Sequence, residues 1–551
     1  MEEVNQTPVS IPTSKRTLIA ETDIIELHCK KEGTATEEDF KSVLRRYNLR
    51  DGLITLGQKS NLLFDTERQR NGPYREPNTG VIITQFALAY LANILLISGA
   101  NDYKSKYISQ KDNLLTLCNS YSNCLIDYIL VKNEGLVNQD DLRSFMIRAH
   151  SEQIEYQFSP AYMISRTVVI FNEIAQNIQP NKFESLSKIF EKETGLSLFD
   201  YLRLCFIIFA ASHKTATFSI RSIAAGNIPQ LKDLLVEEKV TKILNILKAD
   251  YKTFRAEDAI QNKNLNSIFT KTRFNPLLIY PIIETDAKHL GDPYVIPNVI
   301  AFVRKSFGGL YWWFHRYFEA QGKQQDFRNY FGYVFQEYVG RILKNIYGEN
   351  AVQGEIIYGD SLKFIDWWVE KDNKIYLFES KANQFRLPSK QTGDRELIIK
   401  NEIETKVVDA ISQVYKRIQD IPKYEELKKL QGKQIIPIIV FMDMPFISNS
   451  LYEPWIKEAL IRQEQKVQIT GLADYQIFLM NIEELELYDE CANIIGLDDI
   501  FLKLRNNIEE GFLSILRKIK GVGLRNRYLD VVYKNFGEKG LWAIETNKTA
   551  Q

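Results

Sequence analysis

Asp366, Glu379 and Lys381 are the side chains whose types and spacing could do chemistry together. They sit near the ends of two apolar runs, Leu362-Lys363-Phe364-Ile365-Asp366-Trp367-Trp368-Val369 and Lys374-Ile375-Tyr376-Leu377-Phe378-Glu379-Ser380-Lys381. Both runs are rich in β-branched and aromatic residues and read as strands, divided by a polar cluster that contains Asp372-Asn373. A turn of two or four residues centred there sets position 366 directly opposite position 379. Opposed residues share a face, with Cβ atoms about 4.5–5.5 Å apart, and the two-residue period of a strand puts Lys381 on that face beside Glu379. Two carboxylates held so close repel unless a cation lies between them, and Mg²⁺, at about 2.0–2.1 Å from each oxygen, suits the gap. The competing reading is a surface cluster in which Lys381 neutralises the acids.

Glu-x-Lys by itself carries no information, because about one position in 200 shows it at Glu and Lys frequencies of roughly 7% each. It recurs at Glu237/Lys239, Glu404/Lys406, Glu426/Lys428 and Glu464/Lys466, all in polar, helix-like surroundings. Only Glu379 ends an apolar strand that follows another strand bearing a carboxylate.

In this arrangement the chain resembles the PD-(D/E)xK, or restriction-endonuclease-like, nuclease superfamily. The resemblance implies a helix, a three-stranded antiparallel meander, a helix and a further strand, with Asp on the second strand and Glu-x-Lys on the third. A helix-like stretch from Phe327 to Ile346, a strand-like Val352 to Tyr358, the two strands above, a long helical stretch from Glu396 to Gln419 and a buried strand from Gln434 to Met442 follow that order. Ile365 stands where the superfamily name has Pro. The fold implied is an α/β nuclease core, a mixed sheet flanked by helices, in the C-terminal half, preceded by a mostly α-helical domain.

The resemblance also implies roles. Asp366, Glu379 and the backbone carbonyl of Ser380 would bind Mg²⁺ or Mn²⁺, which polarises a phosphodiester and lowers the pKa of a bound water. Lys381 would orient or help deprotonate that water, and hydrolysis would leave a 5′-phosphate. Glu337, on the first helix, stands where many such nucleases carry a metal-facing acid, and reads equally as an exposed helix residue. Gln413 stands on the helix after the third strand, where related enzymes place Gln or Lys near the site. Glu355, on the first strand, is a weaker candidate.

A chain of 551 residues exceeds what one core usually holds. The expected division is a flexible N-terminal arm over 1–35, an all-α regulatory or recognition domain over 36–260, a Pro-rich connector packed on the nuclease domain over 261–325, the nuclease domain over 326–490 and a helical extension over 491–551. Its 70 basic and 70 acidic side chains give zero formal charge, so polyanion binding has to come from local patches. Arg386, Lys390, Arg395 and Lys400, on a Pro- and Gly-containing loop after the third strand, form one such patch, suited to backbone phosphates or simply solvated. The five cysteines and five histidines lack disulfide-framework or zinc spacing. Catalysis therefore rests on carboxylates and Lys, in a reducing cytoplasm.

The start of the chain, Met1-Glu2-Glu3, lacks the features of a signal peptide. Val81 to Ser98 is apolar, but Thr84, Gln85 and Asn93 interrupt it, and it reads as a buried helix. Ile519 to Arg527, with Gly521-Val522-Gly523, reads either as the phosphate-gripping turn of a helix-hairpin-helix or as an ordinary helix C-cap. The function expected is a divalent-metal-dependent endonuclease acting on nucleic acid, with DNA favoured over RNA. It would be a bacterial, antiviral-type defence effector controlled by its helical half, which could bind a protein partner or form a homo-oligomer. The alternatives are a structure-specific repair or recombination nuclease and a non-catalytic nucleic-acid-binding scaffold; no membrane association is expected.

Overall fold

The computed structural model describes residues 37–542 apart from 71–73, 76–81, most of 111–159, 225–230, 266–272, 287–290, 444–448, 468–475, 507–511 and 522–523. The expected arm over 1–35 lies outside the described residues.

In the C-terminal half, helix α1 (Gln324–Tyr347) leads into strands β1 (Val352–Gly354), β2 (Ile357–Tyr358), β3 (Leu362–Lys363), β4 (Trp367–Lys371), β5 (Lys374–Gln384), β6 (Gln434–Asp443) and β7 (Phe478–Asn481). The main sheet has the order β7-β6-β5-β4-β1. Its β1/β4 and β4/β5 pairs are antiparallel, and its β5/β6 and β6/β7 pairs are parallel. This is the mixed sheet flanked by helices that the resemblance implies.

Alternation along β5 divides its apolar side chains between two cores. Tyr376 and Phe378 enter one together with Tyr338 and Val339 of α1, whereas Ile375 and Leu377 enter the other. That second core is closed by a continuous helical run from Arg395 to Asp420, whose middle, Ile399–Val408, is π-helical and whose last part is α2 (Asp409–Asp420).

Two strands come out shorter than their apolar runs. The stretches expected as Val352 to Tyr358 and Leu362 to Val369 each divide: their inner parts join the main sheet as β1 and β4, while β2 and β3 pair only with each other. The tight turn of this small hairpin holds Gly359 and Ser361 at positive φ, and Phe364 and Ile365 then dive into the second core. Runs of apolar residues mark burial, and here burial continues through a bend.

The N-terminal half is mostly helical, with Leu49–Arg70, Gln85–Ile97, Pro160–Asn177, Leu198–Ser212 and Glu237–Leu247 among its elements. It is not all-α. Thr217–Phe218 and Lys248–Asp250 form the edges of a four-stranded sheet completed by Ile282–Glu284 and Tyr294–Val295 from the expected connector. Residues 261–325 are thus woven into the helical half as well as packed on α1. Strands of two or three residues are too short for alternation to announce them.

The expected divisions do not separate cores. One apolar cluster runs from Phe64 through Val168, Phe302, Phe314 and Tyr338 to Phe378, Leu485 and Phe536. The helix Gln85–Ile97 is buried, as its sequence predicts, with Ser60 Oγ donating to Gln85 Oε1. Among the described residues no single helix is long and apolar enough to cross a membrane; the nearest case is a pair, Leu186–Thr194 and Leu198–Ser212, bent by 65°.

Candidate active site

The β4/β5 hairpin closes through a two-residue turn in which Asp372 and Asn373 have φ of 53° and 60°. Two positive values in succession define the turn type whose twist matches a right-handed hairpin, and Asp and Asn tolerate them best after Gly. The turn fixes Lys371 opposite Lys374 and Trp367 opposite Phe378, the last pair of the ladder; the same register continued one residue outward brings Asp366 to Glu379. Trp367 occupies the α1 face of the sheet, where its indole N–H donates to the Gln336 carbonyl at 2.8 Å. Asp366 and Glu379 therefore share the opposite face, the one covered by α2.

Four of the expected side chains and one backbone group meet there. The Ser380 N–H donates to Asp366 Oδ2 at 2.7 Å. Lys381 Nζ donates to Glu379 Oε1 at 2.7 Å and to Gln413 Oε1, from α2, at 2.8 Å. Glu379 is buried and Lys381 partly so. Because N–H and C=O of one strand residue point to the same side, the Ser380 carbonyl is directed laterally toward β4, where its N–H meets Asp366. Burial, and then the neighbouring Glu379 charge, push the Asp366 carboxyl from 3.8 up to about 7 against the opposing pull of the Ser380 N–H and Lys381.

This crowding is what a divalent cation would relieve. Only Asp366 Oδ2 and Glu379 Oε1 are engaged in the bonds above, so the second oxygen of each carboxylate is uninvolved in them. Two carboxylates and a backbone carbonyl suit Mg²⁺, which keeps several of its waters. Among the described residues no group of three or more His, Cys, Asp or Glu side chains is arranged to hold a metal ion.

Glu337 does not complete such a group. It lies on α1, on the far side of the sheet, with its carboxylate 3.9 Å from Arg341 Nε, and it fits the exposed-helix reading. Glu355 pairs with Lys363 at 2.8 Å. The basic segment also differs from its expected form. It is helical over Leu387–Thr392 and again from Arg395, rather than a loop. Lys390 binds Asp443 at 3.0 Å, and Arg395 binds Glu458 and Asp140, leaving Arg386 and Lys400 as its exposed cations. The segment is anchored by the fully buried Glu402, which accepts from the Arg386 N–H, from Ser389 Oγ and from Lys406 Nζ.

Sequence reasoning missed Lys363. Its ammonium is raised in pKa, first by the Glu355 hydrogen bond and further by Tyr333 and Asp366. No periodicity could flag it, because the chain bends between β3 and Asp366. Gly521 fits the C-cap reading, with a φ of 83° and its N–H donating to the Arg517 carbonyl at 2.7 Å; Val522 and Gly523 lie outside the described residues. No family model, curated protein or solved structure matches the chain.

Proposed function

We propose that the chain is a metal-dependent phosphodiesterase acting on nucleic acid, an endonuclease of the PD-(D/E)xK type, with DNA favoured over RNA. The observation that carries the reading is the convergence of Asp366, Glu379, Lys381 and Gln413, with Asp366 bonded to the Ser380 N–H beside Glu379 and Lys381 bonded to both Glu379 and Gln413. Asp366, Glu379 and the Ser380 carbonyl would hold Mg²⁺ or Mn²⁺. When bound, such an ion polarises the phosphodiester and makes its water a stronger acid.

The chain's own groups supply the rest. Lys381 has three N–H donors, two of them directed to Glu379 and Gln413, and the third is available to a water or a phosphate oxygen. Held this way, the ammonium orients the water for attack at phosphorus and offsets charge as the 3′-oxygen departs, leaving a 5′-phosphate. Gln413 acts as a positioning residue through Lys381. Arg386 and Lys400 offer backbone phosphate contacts beside the site. Control by the helical half, as in a defence effector, is part of the same proposal. It is supported by the buried contacts of Arg166 with Glu483 and Glu486 and of Glu486 with Tyr338 of α1.

The test is cleavage of plasmid, linear duplex, single-stranded DNA and RNA with Mg²⁺ or Mn²⁺, by wild type and Glu379→Ala. Cutting that needs the metal and disappears in Glu379→Ala is expected. Cutting that persists unchanged in the variant would refute the assignment.

A further inference from the structure

Beside the carboxylate pair lies an exposed patch that the proposed chemistry does not use. Tyr333, on α1, is 56% exposed and Ile357, on β2, is 53% exposed. Lys363 joins them. Its Nζ stands 5.8 Å from the centre of the Tyr333 ring, within the range of a cation–π contact. Cross-strand pairing of Ile357 with Lys363 sets those two side chains on the same face of the β2/β3 hairpin. The tight turn of that hairpin and the long helix carrying Tyr333 hold the patch on rigid elements.

The patch adjoins the site along the chain, because Lys363 ends β3 three residues before Asp366. An exposed aromatic face, a lysine beside it and an apolar neighbour are the components by which proteins bind unpaired nucleotides. The ring stacks on a base and the cation meets the backbone. A protein partner would find little apolar area here, and a duplex would present the ring with no free base face.

We propose that Tyr333, Lys363 and Ile357 form a stacking platform for an unpaired nucleotide flanking the scissile phosphate, so that the enzyme engages single-stranded or locally opened nucleic acid. This inference rests on the phosphodiesterase reading of Asp366 and Glu379. Tyr333 supplies the stacking face, Lys363 the phosphate contact and Ile357 an apolar edge.

The test measures binding of fluorescent oligothymidylate, oligouridylate and a blunt duplex to the full-length Asp366→Ala protein, which should not cut them. Adding Tyr333→Ala should weaken single-strand binding about tenfold or more, whereas adding Tyr333→Phe, which keeps the ring, should change it little. Adding Lys363→Ala should lower the dependence of log affinity on log salt by about 0.7, as expected for one single-strand phosphate contact. Equal single-strand affinities with and without Tyr333→Ala would overturn the platform, as would Tyr333→Phe losing as much as Tyr333→Ala. If the oligonucleotides bind unaltered in Tyr333→Ala and the wild type still cuts, the platform alone fails. If no nucleic acid binds and none is cut, the phosphodiesterase reading fails with it.

Discussion

At the scale of single residues, the site is a set of charges held apart from water and close to one another. Asp366 registers this most strongly, since burial and Glu379 push its carboxyl up to about 7. The folded protein therefore holds that proton more tightly than the unfolded chain does. Without metal, the contribution of Asp366 to stability should be greatest below the unfolded value and be lost as pH rises from about 4 to about 7, by roughly 1–3 kcal/mol. Asp366→Asn removes this titration. In urea unfolding with EDTA the variant should show a flatter pH profile and exceed the wild type at pH 8; parallel profiles would contradict the assignment of that slope to Asp366. The opposition of Asp366 and Glu379 was legible in the sequence because a two-residue turn and a two-residue period leave little freedom. The ion pairs of Lys390 with Asp443 and of Arg395 with Glu458 were not, because the acids lie 53 and 63 residues away and nothing local announces them.

At the scale of elements, α1 holds the near end of β4 through one contact that leaves no room for change. A Cβ added at Gly340 would lie 2.3 Å from Cζ2 of Trp367, whose indole is fixed by its bond to Gln336. Gly340→Ala must displace either α1 or Trp367, the residue next to Asp366. We expect a loss of about 1–3 kcal/mol in urea unfolding together with reduced cleavage by the protein that remains folded; unchanged stability would mean that the helix shifts at no cost. The helix, the strands β4, β5 and β6 and the helical run between β5 and β6 follow from periodicity and apolar runs. The division of the meander into main-sheet strands and a separate β2/β3 hairpin does not, because the bend at Phe364 and Ile365 keeps both residues buried. For the same reason Lys363 and Tyr333 gave no sign of lying beside the site.

At the scale of the molecule, the two halves share one core and one buried polar knot. Arg166 from the N-terminal half donates to Glu483 at 2.6 Å and to both oxygens of Glu486, and the Tyr338 hydroxyl of α1 donates to Glu486 at 2.6 Å. Residues 166 and 486 stand 320 apart in sequence, beyond any reading of local pattern. Removing the guanidinium strands two buried carboxylates, so Arg166→Met should lose about 3–5 kcal/mol of stability. Adding Glu483→Gln and Glu486→Gln should recover part of that loss, and a mild effect of Arg166→Met in urea unfolding would show the knot to be solvated. The most direct test of the central claim, that Asp366 and Glu379 share a cation, is calorimetric titration of Mn²⁺ into the full-length wild type, Asp366→Ala and Glu379→Ala. The account predicts a Mn²⁺ site in the wild type that is lost in both variants; wild-type affinity in either variant would contradict it.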